Sequence, residues 1–470
     1  MKLPDYSYVF LLLLALSAGC SVSKDVALPT DAVPSTYRGA APLSDTAGVG
    51  SLSVTDFITS AEIRRLIDTA LVRNYDMQLA LKNIEAADLL FRQARLGNLP
   101  SLGMQVSANS TRPSDNSLSG LSTGQFLGTR HIEDFNASLN LVWEADIWAK
   151  IKNQKQAALA GYLQSAEARK AVQTRLVANI AKGYYQLLMM DAQLEIARKN
   201  LSLNDSTLTI IKLQFEAGQV SSLAVQQAEA QRLVAAQLVP QLEQQIVIQE
   251  NAIKLLTGSL PGPVERLSDL DQISIPSAFS AGLPSSMVSR RPDVKTAELS
   301  LTIANARVGI SKANMYPTLS ISASGGLNSL KASNWFNVPA SVFGIVGGSI
   351  TQPIFQRKEL KTQYELAKID REKVVIQFRQ SVLSAVGEVS DELVKLEKLK
   401  DQYDISAQRA ETLSHAVKNA GLLFQNGMAT YLEVITAQSN ALQSQLELTA
   451  LKTARLNASV ELYRALGGGI

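Results

Sequence analysis

One cysteine, Cys20, and 2 histidines, His131 and His415, occur in a chain of 470 residues. That scarcity excludes disulfides within the chain and cysteine-built zinc sites, and leaves neither histidine a partner for metal or nucleophilic chemistry. A strongly basic face is also missing, because 45 Lys and Arg stand against 42 Asp and Glu. Nucleic acid is therefore not an expected partner. No phosphate-cradling loop is present, since Gly347-Gly348 and Gly467-Gly468-Gly469 lack the flanking pattern. Carboxylates are plentiful but fall mainly on helical surfaces, where they read as solvated faces. The expectation is a protein without catalytic residues, metal or cofactor. Long apolar runs are absent after Leu16, and none approaches the ~18 residues that a helical span needs. A membrane role would have to use β-strands.

What the chain does have begins at its N-terminus. Lys2 precedes the apolar run Val9 to Leu16, followed by the small residues Ser17, Ala18 and Gly19 and then Cys20. This reads as a signal peptide over 1–19. A small residue before a lone cysteine is similar to the bacterial lipobox, although Ser17 stands where a leucine is usual. Cys20 would then carry the fatty acyl chains, palmitate among them, and open a lipid-anchored segment over 20–60. Ser21, rather than Asp, follows the cysteine. Under bacterial sorting rules this sends a lipoprotein to the outer membrane.

Internal repetition organises the rest. Residues 70–109 align without a gap on 287–326, setting Asp76 on Asp293 and Pro100 on Pro317. Further on, Leu213-Gln214-Phe215-Glu216-Ala217-Gly218 faces Leu422-Leu423-Phe424-Gln425-Asn426-Gly427. The first repeat is placed at 61–258, a linker at 259–290 and the second repeat at 291–470. Each reads helix, strand, strand, long helix, turn, long helix.

The long helices carry apolar residues every seventh position, with Gln173 the exception in the first copy. In the first copy the series is Leu159, Ala166, Gln173, Ile180, Leu187, Leu194, Leu201, Leu208 and Phe215. In the second it is Val375, Val382, Val389, Leu396, Tyr403, Ala410, Val417 and Phe424. A seven-residue period held this long predicts a left-handed coiled coil. Gly218 and Gly427 are the reversal points, since glycine accepts positive φ at a helix end. Return helices follow over about 219–257 and 428–466, and Pro240 predicts a local kink or distortion in the first of them.

Alternating segments supply the strands, at 101–112 and 134–143 in the first copy and 317–328 and 341–353 in the second, and the spans 101–111, 135–143, 317–328 and 341–353 carry no charge. Leu102, Met104 and Val106 alternate with small or polar residues, as do Leu319, Ile321 and Ala323. Segments of about ten residues with this period fit membrane strands, where a lipid-facing Lys or Arg costs ~2–4 kcal/mol at midplane. Four strands cannot close a barrel, and open edges are not viable in lipid. Three chains would supply twelve strands. The stretches Pro113 to Arg130 and Ser329 to Ala340 would form the external loops, with Trp143 and Trp148 at the membrane interface.

At this point the chain resembles the TolC-like outer membrane factors, in their NodT or OprM-type lipoprotein branch. The resemblance is carried by Arg290-Arg291-Pro292-Asp293-Val294, with Ala297-Glu298, Ala304, Ala306, Ala313 and Pro317, and by the two Phe-x-x-Gly turns. It spans essentially the whole chain after Cys20. It implies a mixed α+β membrane protein: a homotrimer sharing a twelve-strand transmembrane β-barrel, continued by a long periplasmic α-helical barrel of hairpins, with an equatorial mixed region. The implied role is the outer-membrane channel of an efflux system, lipid-anchored in the outer membrane. Its implied partners are outer-membrane lipid, a periplasmic membrane-fusion adaptor and an inner-membrane transporter of the RND type.

The resemblance also assigns residues at the hairpin tips. Glu433 occupies the first acidic position of the family's constriction, while the second holds Thr436. Some relatives close the tip with an Asp–Arg pair, and those places hold Ala224 and Ala429 here. Phe215, Gly218, Phe424 and Gly427 would shape the tip and meet the adaptor. For Glu433 the alternative is a solvated helix residue, and for the two Phe residues simple helix packing. For the chain as a whole the alternatives are a surface coiled-coil lipoprotein and a conduit for protein secretion.

Overall fold

The computed structural model describes residues 23–29, 33, 34, 36–38, 48–126, 128–273 and 281–469. The signal segment, Cys20 and parts of the expected 20–60 and 259–290 segments lie outside the described residues. Two compact units are formed. The first gathers the segment up to Leu28 with Ala86–Leu163 and Leu299–Ile376; the second gathers Pro29–Glu85, Gln164–Glu298 and Gln377–Ile470.

In chain order the main elements are α1 (Ala61–Arg73), α2 (Tyr75–Arg95), β1 (Ser101–Thr111), β2 (Ile132–Ala145), α3 (Lys150–Glu216), α4 (Ser222–Leu256), α5 (Pro292–Ala313), β3 (Thr318–Ser329), β4 (Val342–Thr351), α6 (Glu359–Gln425) and α7 (Tyr431–Ala465). The two longest helices have 67 residues each, about 100 Å at 1.5 Å per residue. Among the described residues no helix is long and apolar enough to cross a membrane. A short helix, Leu118–Phe126, interrupts the first expected loop.

In the first unit the strands form one antiparallel sheet in the order β1-β2-β3-β4. The register sets Leu102 opposite Leu141, Met104 opposite Leu139 and Val106 opposite Ala137. The row extends through Leu141 to Ala323 and on to Val346. Because side chains alternate across a strand, these pairs line one face. Helix α3 starts where the Asp146 carboxylate accepts the amides of Ile151 and Lys152 at 2.9 and 2.8 Å, satisfying donors that a helix start leaves free.

In the second unit the core is aliphatic with a few rings. Ile63, Ile67 and Met77 pack with Ile180, Tyr184, Leu187, Ile253 and Leu456. A second cluster joins Met287, Val294, Val382, Val389 and Leu462. The signature stretch has a clear structural use. Pro292 opens α5, a position suited to its missing N–H. The buried Arg291 guanidinium donates to Asp293 at 2.7 Å, to Glu388 of α6 at 3.0 Å and to the Ala465 carbonyl of α7 at 3.1 Å. A buried cation is thereby paired on every side, as burial of charge requires.

The seven-residue series of α6 is the buried one: Val382, Val389, Leu396, Ala410 and Phe424 are all in the core. The series of α3 needs correction. Ile180, Leu187 and Leu208 are buried, but Leu159 and Phe215 are exposed in the chain, and the buried seam of the lower half runs through Ala197, Asn200, Asn204, Thr207 and Ile211. A straight α-helix drifts ~20° per heptad against a strict seven-residue period, so a stripe chosen at mid-helix rotates out at both ends. Helix α4 continues through Pro240 as one helix.

Candidate functional site: strand faces and hairpin tips

The sheet has two faces of different chemistry. One carries Leu102, Met104 and Val106 of β1, Leu139 and Leu141 of β2, Leu319 and Ile321 of β3, and Val346 and Ile350 of β4. The opposite face carries Gln105 and Ser107, Asn136, Ser138 and Asn140, then Ser320, Ser322 and Ser324. Its side chains bond to one another: Ser324 donates to Asn140 Oδ1 at 2.7 Å, and the Ser320 and Ser349 hydroxyls lie 2.8 Å apart. An apolar face backed by a mainly polar one, which also holds Val142, Ile345 and Glu144, suits lipid outside and water inside. Among the described residues the outer strands, β1 and β4, each pair on one side alone, and lipid would leave their free backbone groups unsatisfied.

Aromatic side chains cluster at both ends of this sheet. Trp335 packs on Phe135 with ring centroids 5.5 Å apart at the loop end. At the other end Trp148 stacks on Tyr316 at 4.7 Å, and its indole donates to the Pro317 carbonyl at 2.7 Å. A stacked ring with its N–H on a carbonyl suits an interfacial tryptophan.

The tips lie in the second unit, and both turns are the same device. Gly218 has φ +73 and Gly427 φ +70. The Gln219 amide donates back to Gln214 O and the Met428 amide to Leu423 O, each at 2.8 Å. This is the six-to-one bond that closes a helix on a left-handed residue. The two turns pack on one apolar cluster of Leu208, Ile211, Ala224, Ala228, Phe424 and Val434, with Ala429 and Tyr431 at its edge. Ala224 and Ala429, the places of the absent ion pair, are thus apolar packing positions.

Phe215 and Phe424 match in sequence but differ in place. Phe424 is 5% exposed within this cluster, whereas Phe215 is 45% exposed. Glu433 lies at the start of α7, where the Thr430 amide donates to its carboxylate at 2.6 Å and the Thr430 hydroxyl at 3.0 Å. These two bonds hold the Glu433 carboxyl below its ordinary value. Sequence reasoning missed that cap, although Thr430-x-x-Glu433 is a capping-box spacing.

Polar links between the hairpins were also missed. The Tyr431 phenol donates to Gln227 Oε1 at 2.7 Å. Beside the apolar cluster, Gln438 of α7 donates to Thr207 of α3 at 3.0 Å, and Asn204 donates to the Asn200 carbonyl at 2.8 Å. All four are buried. Among the described residues no group of three or more His, Cys, Asp and Glu side chains could hold a metal ion.

The outer membrane efflux protein family model matches residues 66–259 and 283–468. The chain belongs to the outer membrane efflux protein family. It is 28% identical over 465 residues to the cation efflux system protein CusC of Escherichia coli (strain K12), covering 98% of each chain. Against the solvent efflux pump outer membrane protein SrpC of Pseudomonas putida the identity is 30% over 417 residues, with 88% of this chain and 87% of the relative covered. The probable outer membrane lipoprotein SilC of Salmonella typhimurium is 27% identical over 100% of this chain and 99% of its own. A crystal structure of CusC superposes with a TM-score of 0.83 at 25% identity, covering 96% of this chain and 100% of that one. Its subject is folding and transmembrane channel formation. The chain is accordingly an outer-membrane channel protein of efflux systems with a mixed α+β channel fold, in a family of channels rather than of enzymes.

Proposed function

We propose that this efflux-family protein is a passive duct, assembled as a homotrimer and anchored by lipid on Cys20. It conducts small molecules such as drugs and toxic solutes from the periplasm to the exterior. The observation that carries the reading is the sheet: two faces of opposite chemistry and two unpaired edges. Three copies joined edge to edge give a closed twelve-strand barrel whose interior is lined mainly with Ser, Asn, Gln and Gly. Such a wall holds water and imposes little selectivity, so choice of cargo falls to the pump.

The partners are a periplasmic membrane-fusion adaptor and an inner-membrane transporter of the RND type, which supply the energy. The adaptor meets the tips around Phe215, Gly218, Phe424 and Gly427, and three copies of Glu433 converge on the axis as a constriction. Opening separates the paired hairpins, a two-state rearrangement of packed helices. Cysteines placed beside Gly427 and cross-linked between neighbouring chains should abolish export of a cationic dye, toluene and copper ions alike. Unimpaired export of all three at full cross-linking would overturn the duct as drawn.

A further inference from the structure

Two consecutive residues with a Cβ hold left-handed backbone just before the second long helix: Arg357 at φ +49 and Lys358 at φ +65. The same junction in the first copy holds Ala149 at φ +58. The spacing that carries Gly218 onto Gly427 also carries Ala149 onto Lys358. The passage from strand to long helix thus calls for a left-handed residue in each copy. Such backbone crowds a Cβ, and glycine would adopt it freely. The second copy instead sets two cations in a conformation that disfavours them.

Both cations are exposed, and so is Lys361 in the first turn of α6. Further along α6, Lys368 pairs with Glu365 and Lys373 with Asp370. Among the described residues no carboxylate pairs with Arg357, Lys358 or Lys361. Glu359, their acidic neighbour, accepts from Gln363 of its own helix at 3.2 Å. Directly before the cations stand Ile354 and Phe355, which are 96% and 83% exposed in the chain. Two large apolar side chains thus project beside three unpaired positive charges.

Gln352 fixes the level of this segment along the barrel. Its Nε2 donates to the Met315 carbonyl at 3.2 Å, and Tyr316, next in the chain, stacks on Trp148. The segment therefore leaves β4 beside the interfacial ring pair, at the end of the sheet away from the loops. Four residues span at most about 14 Å, so Ile354 and Lys358 can straddle the boundary between acyl chains and head groups. We propose that Ile354, Phe355, Arg357 and Lys358 form a docking surface for anionic phospholipid on the periplasmic face of the outer membrane. The two apolar side chains enter the acyl boundary. The guanidinium and the ammonium take the phosphate, the guanidinium through two parallel N–H···O bonds. Lys361 adds a third charge one turn on. An occupant of this chemistry answers the free charge and the exposed apolar pair together, and it continues the lipid layer that covers the strands. The inference rests on the barrel reading.

Lipid retention by purified full-length trimers tests this. The trimers are equilibrated in micelles holding equal amounts of phosphatidylglycerol and phosphatidylcholine, and bound lipid is counted by native mass spectrometry. Wild type should keep phosphatidylglycerol several-fold over phosphatidylcholine. Arg357→Gly with Lys358→Gly removes both charges and relaxes the backbone, so this variant should assemble and hold the two lipids equally. Arg357→Gln with Lys358→Gln removes the charges alone and should lose the preference in the same way. Equal retention by wild type, or an unchanged preference in either assembled variant, would overturn the site. Loss of the preference on adding inorganic phosphate at the lipid's own concentration would mark a site for free anions and overturn the lipid as occupant. A wild type that forms no heat-modifiable trimers would instead overturn the barrel on which the inference rests.

Discussion

Tyr431, at the start of the second return helix, donates its phenol to Gln227 of the first return helix across 2.7 Å, beside an apolar cluster built from both tips. The positions at which the family resemblance would set an ion pair hold Ala224 and Ala429. Here the two hairpins meet through apolar packing and neutral hydrogen bonds, this one among them. Tyr431→Phe keeps the ring and removes the donor, which should cost about 0.5–1 kcal/mol, at the low end for a bond open to water. The expected result is a several-fold rise in the open fraction of single channels, with no change in trimer stability. An unaltered open fraction would remove this bond from the closure.

The two tip phenylalanines should behave differently. Phe424→Ala empties part of a packed cluster and should lower local stability by about 3 kcal/mol. Phe215→Ala changes a largely exposed side chain and should stay within about 0.5 kcal/mol. Hydrogen exchange of the tip amides measures both. If Phe215 is an adaptor contact, its variant should lose adaptor binding while keeping wild-type exchange.

Strand register sets a third expectation. Arg at Val106 or Leu139 faces lipid and should cost ~2–4 kcal/mol near midplane, reducing the yield of heat-modifiable trimers. Arg at Gln105 faces the water-filled side and should assemble, altering ion preference instead. Equal yields at neighbouring positions would contradict the assigned faces.

Glu433 gives a pH dependence with a defined sign. Hydrogen bonds from the Thr430 amide and hydroxyl lower its carboxyl below the ordinary value. The stabilisation of the α7 start is therefore fully present above the unfolded value of about 4.3, and is lost as pH falls through the depressed folded value. Exchange at the Thr430 to Glu433 amides, corrected for intrinsic rates, should quicken over that acidic range in wild type. It should not do so in Glu433→Gln, which can cap without titrating.

Much of the fold was legible because it rests on periodicity. The two-fold repeat, the charge-free alternating segments and the glycine turns are local signals, and each gave the element type without knowledge of its neighbours. The α3 seam was misread because its lower half is buried through Asn200, Asn204 and Thr207. A search for apolar residues at seven-residue spacing passes over such positions, and what makes them suitable for burial is the facing α7, with Gln438. The tip chemistry was harder still. Ala224 and Ala429 could be read as a missing ion pair, but the Tyr431–Gln227 bond joins residues 204 apart in sequence, and only the folded hairpins bring them together. Resemblance alone points to Glu433 as a constriction, while the threonine three residues before it carries a local signal for its cap.

Planar-bilayer conductance of the purified full-length protein, wild type beside Glu433→Gln, tests the duct most directly. Stable small channels in wild type, with weaker cation preference in the variant, are the predicted result, since the glutamine keeps the cap and removes the charge. Heat-modifiable trimers that pass no current, even when Tyr431→Phe and Phe424→Ala loosen the tips, would contradict the account.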